Sequence, residues 1–181
     1  MSKYPIHITG TVCEEKLQKG VFIFIYRASK VPPHIGVVVN GLLYDITAVG
    51  PNINLPVADF YRTALKRKTE VLFVALKHAK FSMLNELISA MVEQYYKVTL
   101  ATSCLVPVKE FIYEAYGLNV DQANFIFELL PVLYQNHLIT DVWELNLSNK
   151  IKDKIFEMTK YTKEDVENCV AALERKEKIS C

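Results

Sequence analysis

A chain of 181 residues is long enough to bury a substantial core, and its 51% hydrophobic and 23% charged residues are typical of a soluble globular protein. Because 21 Lys and Arg offset 20 Asp and Glu, the net charge of +1 gives no reason to expect a nucleic-acid partner. No stretch approaches the roughly 18 apolar residues of a membrane helix, and the N-terminal residues lack the apolar core of a secretory signal. We therefore expect no integral membrane segment and a cytoplasmic location.

The first clear elements are β-strands. The aromatic and β-branched run 21–26 predicts a buried strand. The apolar runs 34–39 and 42–47 flank Asn40-Gly41, and an Asn-Gly pair in this setting is typical of a two-residue hairpin of the primed turn type. This turn fixes the pairing of the two strands, with the residues on either side of the turn opposite each other.

The predicted register places a histidine and an acid on one face of this hairpin. Gly36 faces Asp45 and His34 faces Thr47, because antiparallel partners step away from the turn in opposite directions. Side chains alternate along a strand, so His34 and Asp45 share a face and lie diagonally, about 7–8 Å apart. A carboxylate at that distance can reach an imidazole nitrogen, although a solvated or turn-supporting Asp45 is an open alternative and Thr47 on the same face could serve instead.

The next elements alternate between helix and strand. Residues 48–55 carry a glycine, a proline and two asparagines and predict a loop. A short helix is expected over 56–65 and a strand over 69–76, and Ser82 could cap a helix that runs through about Tyr96. The order strand, hairpin, helix, strand, helix indicates an α+β protein.

Cys104 is expected at the N-terminus of the following helix. Thr102 and Ser103 offer capping hydroxyls directly before it, Pro107 is tolerated only in a first turn, and Gly117 is placed to end the helix. A thiol at a helix N-terminus gains from the macrodipole and the unpaired amides, which favour thiolate. The same amides can bind an oxyanion formed when the thiolate attacks a carbonyl, so Cys104 is a candidate nucleophile, with a buried structural cysteine as the alternative.

The remaining chain is predicted to be mostly helical. A helix over 121–130 should end at Pro131, a shorter piece should follow over 132–138, and Thr162 with Asp165 resembles a capping box before a final amphipathic helix.

The chain is thus expected to divide at residue 118. Residues 1–118 would form the core domain, and residues 119–181 would form a helical C-terminal extension packed on it as one compact unit. Such helices could cover a substrate groove of the core or offer a surface for a protein partner.

The chemistry-bearing residues combine into one hypothesis. Cys104 would be the nucleophile, His34 would hold and shuttle its proton, and Asp45 would orient the imidazole; a His34 bonded only to backbone is the alternative. The other cysteines, Cys13, Cys169 and Cys181, carry no signature of activation and are expected to be structural or incidental. No histidine or cysteine has the spacing of metal ligands, so no metal and no cofactor is expected.

Five segments in this order resemble a known family. They are Leu-Gln-Lys-Gly-Val-Phe-Ile-Phe (17–24), His-Ile-Gly-Val-Val (34–38), Leu-Pro-Val-Ala-Asp-Phe-Tyr (55–61), Glu-Val-Leu-Phe-Val (70–74) and Ser-Cys-Leu-Val-Pro-Val (103–108). Together they are similar to the circularly permuted NlpC-type papain-like cysteine hydrolases, which include YiiX-like and lecithin retinol acyltransferase-like proteins. The histidine precedes the cysteine, which is the permuted order.

The resemblance covers roughly residues 17–117. It implies a papain-like fold in which a central antiparallel sheet packs against the nucleophile helix, with Cys104 as nucleophile, His34 as base and Asp45 at the third polar position. Two positions depart from the family pattern: Val21 stands where an Asp is usual, and Leu105 follows the cysteine where a small or hydroxyl residue is common.

The sequence therefore predicts a cysteine-dependent hydrolase that attacks an amide or ester carbonyl through an acyl-enzyme. In the family, peptides of cell-wall type are frequent substrates and lipid acyl groups are the other main branch, so the expected partner is a peptide-like or acyl small molecule. A thiol acyltransferase or lipid hydrolase and a catalytically inactive papain-like binding protein are the alternatives.

Overall fold

The computed structural model describes the backbone of residues 1–179 and the side chains of residues 1–176. The strands are β1 (Lys3–His7), β2 (Gly10–Thr11), β3 (Val21–Tyr26), β4 (His34–Val39), β5 (Leu42–Ile46), β6 (Pro51–Pro56), β7 (Val71–Leu76), β8 (Ile139–Leu145), β9 (Ile151–Lys152) and β10 (Ile155–Thr159). The α-helices are α1 (Val57–Lys66), α2 (Leu84–Glu93), α3 (Leu105–Tyr116), α4 (Ile126–Gln135) and α5 (Lys163–Ile179).

The strands form two sheets. The larger has seven strands in the order β2-β8-β7-β3-β4-β5-β6, and the smaller has the order β1-β10-β9. Every pair is antiparallel except β2 with β8, which is parallel. The α+β class expected from the sequence is therefore confirmed, with a main sheet that is mixed rather than purely antiparallel.

The hairpin forms with the predicted register. Asn40 and Gly41 have φ angles of 47° and 82°, the left-handed values that a primed two-residue turn requires. Val39 pairs with Leu42 and Val38 with Leu43, as the sequence indicated. Strand β4 begins at His34, which pairs with Tyr26 of β3 on the side away from β5.

The main sheet buries apolar side chains on both faces. Helices α2, α3 and α4 pack on one face, over β3 and β4 side chains such as Ile23 and Val37. Helix α1 covers the other face, where Phe24 and Val38 lie. The sequences of β3 and β7 are therefore almost entirely apolar, because a strand that is covered on both sides has no polar face.

The segment predicted as a loop over 48–55 contains strand β6. It pairs with β5 along the edge of the sheet, with Asp45 opposite Asn52. Prolines and asparagines are tolerated there because one side of an edge strand makes no ladder hydrogen bonds. Helix α2 begins after Met83 and ends at Glu93, so Ser82 does not cap it.

The expectation of a helical segment after residue 118 is wrong for residues 139–159. Strand β8 enters the main sheet beside β7, and β10 pairs with β1. The β8 sequence, Ile-Thr-Asp-Val-Trp-Glu-Leu, does not alternate strictly between polar and apolar residues, so its pattern did not identify a strand. Helix α4 also differs, because it runs through Pro131 and continues to Gln135.

The predicted capping box is confirmed at the start of α5. The Thr162 backbone N–H donates to Asp165 Oδ2 at 2.7 Å, and the Asp165 N–H donates to Thr162 Oγ1 at 3.3 Å. Cys181 lies outside the described residues. Among residues 1–179, no helix has both the length and the apolar character needed to cross a membrane.

Candidate active site

His34 and Cys104 meet at one end of the main sheet. His34 is the first residue of β4, and Cys104 directly precedes α3. Both line a cavity of about 350 Å³. The two residues that sequence reasoning chose as base and nucleophile are thus brought together by the fold, although they are far apart along the chain.

Asp45 holds the imidazole from the second strand of the hairpin. His34 Nε2 lies 2.6 Å from Asp45 Oδ2. Asp45 is only 5% exposed, whereas 27% of the His34 side chain remains accessible. A carboxylate this deeply buried needs partners for both oxygens, and the second oxygen, Oδ1, accepts a hydrogen bond from Asn52 Nδ2 at 2.7 Å.

Asn52 is a site residue that the sequence analysis missed. It lies opposite Asp45 on β6, within the segment that was expected to be a loop. Only the assignment of a strand at 51–56 would have placed it beside Asp45. Thr47, the alternative partner for His34, is engaged elsewhere: its hydroxyl donates to the Gly50 carbonyl and accepts from the Val49 N–H.

The surroundings of His34 act on its charge in opposite directions. Burial is the largest single influence and lowers the pKa of the imidazole, whereas the hydrogen bonds and negative charges of Asp45 and Cys104 raise it. The hydrogen bonds and negative charges outweigh burial and raise the pKa of His34 to about 10, so the ring is protonated at neutral pH. Since Asp45 occupies Nε2, the other ring nitrogen, Nδ1, is left for the sulfur of Cys104.

The amides around Cys104 are only partly free. The Leu105 N–H donates to Ser103 Oγ at 3.3 Å and the Val106 N–H donates to the Ser103 carbonyl at 3.1 Å. Pro107 has no N–H to offer. Within the described part of the chain the N–H of Cys104 itself has no backbone hydrogen-bond partner. The amide available to an oxyanion is therefore that of Cys104 rather than the whole first turn of α3.

The two residues approach each other around the end of the sheet. His34 lies on the α1 face, where its ring centroid is 6.0 Å from that of Phe24. Helix α3 packs on the opposite face. The imidazole can still reach Cys104 because His34 is the terminal residue of its strand.

The C-terminal part of the chain completes the walls of the cavity. Phe125 precedes α4, Tyr161 precedes α5, and Val170 and Leu173 lie on α5. Burial raises the pKa of the Tyr161 phenol, and the nearby Cys104 raises it further. Cys169, expected to be incidental, also lines this cavity. The sequence indicated that the C-terminal helices could cover the site, but not which of their residues would lie beside Cys104, because that depends on packing between distant segments.

No cluster of three or more His, Cys, Asp or Glu side chains suited to a metal ion occurs in the described part of the chain. Comparisons of the chain with protein-family models, with curated proteins and with solved structures find no match.

Proposed function

We propose that this protein is a thiol-dependent hydrolase that cleaves an amide or ester bond through an acyl-enzyme on Cys104. The observation that carries the proposal is the position of His34, which has the Asp45 carboxylate on one ring nitrogen and the Cys104 thiol as its other partner. A nucleophile, a base and a residue that orients the base are the minimal set for this chemistry.

The first half-reaction follows from the charge of His34. The Cys104 thiolate attacks the carbonyl carbon, and the carbonyl oxygen becomes an oxyanion within reach of the Cys104 N–H. The imidazolium then gives its proton to the leaving amine or alcohol as the carbon–heteroatom bond breaks. The products are the free leaving group, a thioester on Cys104 and a neutral His34.

The second half-reaction uses the same imidazole as a base. Once the sulfur is acylated, its negative charge no longer favours the protonated ring, so the pKa of His34 falls and the imidazole can accept a proton from water. The resulting hydroxide attacks the thioester, the acid is released, and the proton returns the site to its starting state. Asp45 holds the ring throughout, with Asn52 fixing the Asp45 side chain.

The order of elements supports a permuted papain-like arrangement, in which the histidine strand precedes the cysteine helix. Peptides of cell-wall type are the first substrates to test, because they are frequent in the family that the sequence resembles. Acyl transfer to an amine instead of water uses the same acyl-enzyme and is distinguished by the product.

Labelling with iodoacetamide tests the proposal. Alkylation located by mass spectrometry should be about tenfold or more faster at Cys104 than at the exposed Cys13 at pH 6, and His34→Ala should remove the difference. Cys13 serves as the reference thiol within the same molecule. A Cys104 that reacts no faster than Cys13, with no change in His34→Ala, would overturn the proposal and favour a binding protein that keeps the scaffold.

A further inference from the structure

Arg27 is a cation at the wall of the candidate active site. It follows β3 and lines the same cavity as His34 and Cys104. No Asp or Glu is among the described residues that line this cavity. The charge of His34 is already matched by Asp45 and Cys104, so Arg27 is the cation in the described wall of this cavity that has no carboxylate beside it there.

The backbone of Arg27 is held in place, while its guanidinium is not engaged. The residue has a φ of 59°, which a side-chain-bearing residue adopts only when its surroundings enforce it. Its N–H donates to the Glu70 carbonyl at 2.8 Å and its carbonyl accepts from the Lys30 N–H at 2.8 Å. Within the described residues, no side-chain hydrogen bond or ion pair involves the guanidinium.

Two other cations of the described chain have carboxylate partners. Lys150 pairs with Glu70, and Arg62 donates to both carboxylate oxygens of Glu14. An arginine that is free of such a partner beside a nucleophile has five donors in a fork that matches a carboxylate or a phosphate.

Much of the rest of the cavity wall is apolar, although Thr47, Ser103, Asn124 and Tyr161 also line it. Phe125, Val166, Val170 and Leu173 line it from the C-terminal part of the chain. A ligand that fills this space has to place apolar groups against these side chains and any charged group near Arg27 or His34.

We propose that Arg27 determines the specificity of this site by binding a carboxylate or phosphate group of a substrate whose remaining, apolar portion lies against α5. The inference rests on the proposed thiol chemistry of Cys104. It adds the charge of the substrate, which the chemistry of hydrolysis does not itself specify.

Two alkylating agents of nearly the same shape test the charge preference. Iodoacetate carries a carboxylate and iodoacetamide is neutral, and the ratio of their rates at Cys104 should fall about three- to tenfold in Arg27→Gln, as expected for the loss of one charge near the surface. Arg67→Gln removes the same charge from the end of α1, outside the cavity, and should leave the ratio unchanged. Dividing by the iodoacetamide rate separates the proposed role of Arg27 from the proposed thiol chemistry of Cys104. If Cys104 reacts fast with iodoacetamide but the iodoacetate-to-iodoacetamide rate ratio is unchanged in Arg27→Gln, only the role of Arg27 is overturned.

A protection experiment distinguishes carboxylate from phosphate. Octanoate, octyl phosphate and octanol share one alkyl chain and can be compared as protectors of Cys104 against iodoacetamide. Stronger protection by either anion than by octanol, lost in Arg27→Gln, supports the inference and identifies the preferred group. Equal protection by all three compounds would overturn it.

Discussion

His34 Nε2 and Asp45 Oδ2 lie 2.6 Å apart, although the two residues belong to different strands of a hairpin. The contact is local in sequence and depends only on the register that Asn40-Gly41 sets. The second hydrogen bond of Asp45, from Asn52, requires the next strand as well. The Asp45 carboxylate is therefore held by side chains of two strands, His34 of β4 and Asn52 of β6.

Replacement of Asp45 with Asn should move the titration of His34. The Asn amide keeps the shape of the carboxylate but removes its negative charge. Burial lowers the pKa of His34, and with Asp45 gone fewer groups raise it, so the pKa should fall from about 10 toward its ordinary value of 6.5. NMR titration of the His34 ring measures this. If the group acts as proposed, hydrolysis should also fall by about 10²–10⁴-fold. An unchanged titration would show that Asp45 does not govern the charge of His34.

Stability should depend on pH through His34. Its pKa is raised on folding, from 6.5 to about 10, so the folded state binds this proton more tightly. The stabilisation is fully present below pH 6.5 and is lost as the pH rises through about 10. The difference in free energy of unfolding between the wild type and His34→Gln should therefore shrink between these values, as measured by urea denaturation under reducing conditions.

His78→Gln is the control for that comparison, because it removes an exposed histidine from the same chain. Its difference from the wild type should stay flat over the same range. A His34→Gln difference that grew with pH would contradict the expected sign.

Replacement of Asn52 with Leu should destabilise the protein, because Asn52 bonds the Asp45 oxygen that His34 does not contact. The change leaves Asp45 Oδ1 buried without its donor, which costs about 1–3 kcal/mol in the free energy of unfolding. Asn52→Asp places a second carboxylate against Asp45 and should be worse near neutral pH than at pH 4, where carboxylates take up protons. Thermal denaturation of both variants, at neutral pH and at pH 4, measures these losses of stability. Equal melting temperatures for the wild type and Asn52→Leu would show that the hydrogen bond adds nothing.

Replacement of Gly36 with Ala should disturb the strand that carries His34. An added Cβ would lie 2.5 Å from the ring of Phe24 and 2.6 Å from the carbonyl oxygen of Tyr44. Because the Tyr44 atom belongs to the backbone, the strands must separate, at a cost of about 1–3 kcal/mol. Iodoacetamide labelling of Cys104 should slow in parallel if the imidazole is displaced.

Gly10→Ala is the matched control for Gly36→Ala. Its Cβ would approach only the ring of Trp143, at 3.2 Å, so the loss of stability should be smaller. A Gly36→Ala variant as stable as Gly10→Ala would contradict the close approach of Phe24 and Tyr44.

Local signals predicted the parts of the site that depend on neighbouring residues in sequence. The Asn40-Gly41 turn fixed which residues share a face with His34, and Pro107 with Gly117 bounded the helix after Cys104. These signals act through backbone conformation, which a few residues determine by themselves.

The remaining features depend on contacts between distant segments, which a single sequence does not reveal. Strand β6 is rich in residues that usually form loops, and its place at a sheet edge allows it to form. Strand β8 becomes a strand because β7 has an open side to pair with. Asn52 was missed for the same reason, since it contributes to the site only through the pairing of β6 with β5.

The position of β8 between β2 and β7 affects how the protein is made. The ribosome synthesises His34 and Cys104 before it synthesises residues 139–145. Strand β7 therefore at first has an unpaired edge that can pair with other chains. Val170 and Leu173, which wall the cavity, are made later still. The nascent chain therefore contains its histidine and cysteine before it contains the α5 residues that wall the cavity, and the site is completed only after those residues have been translated.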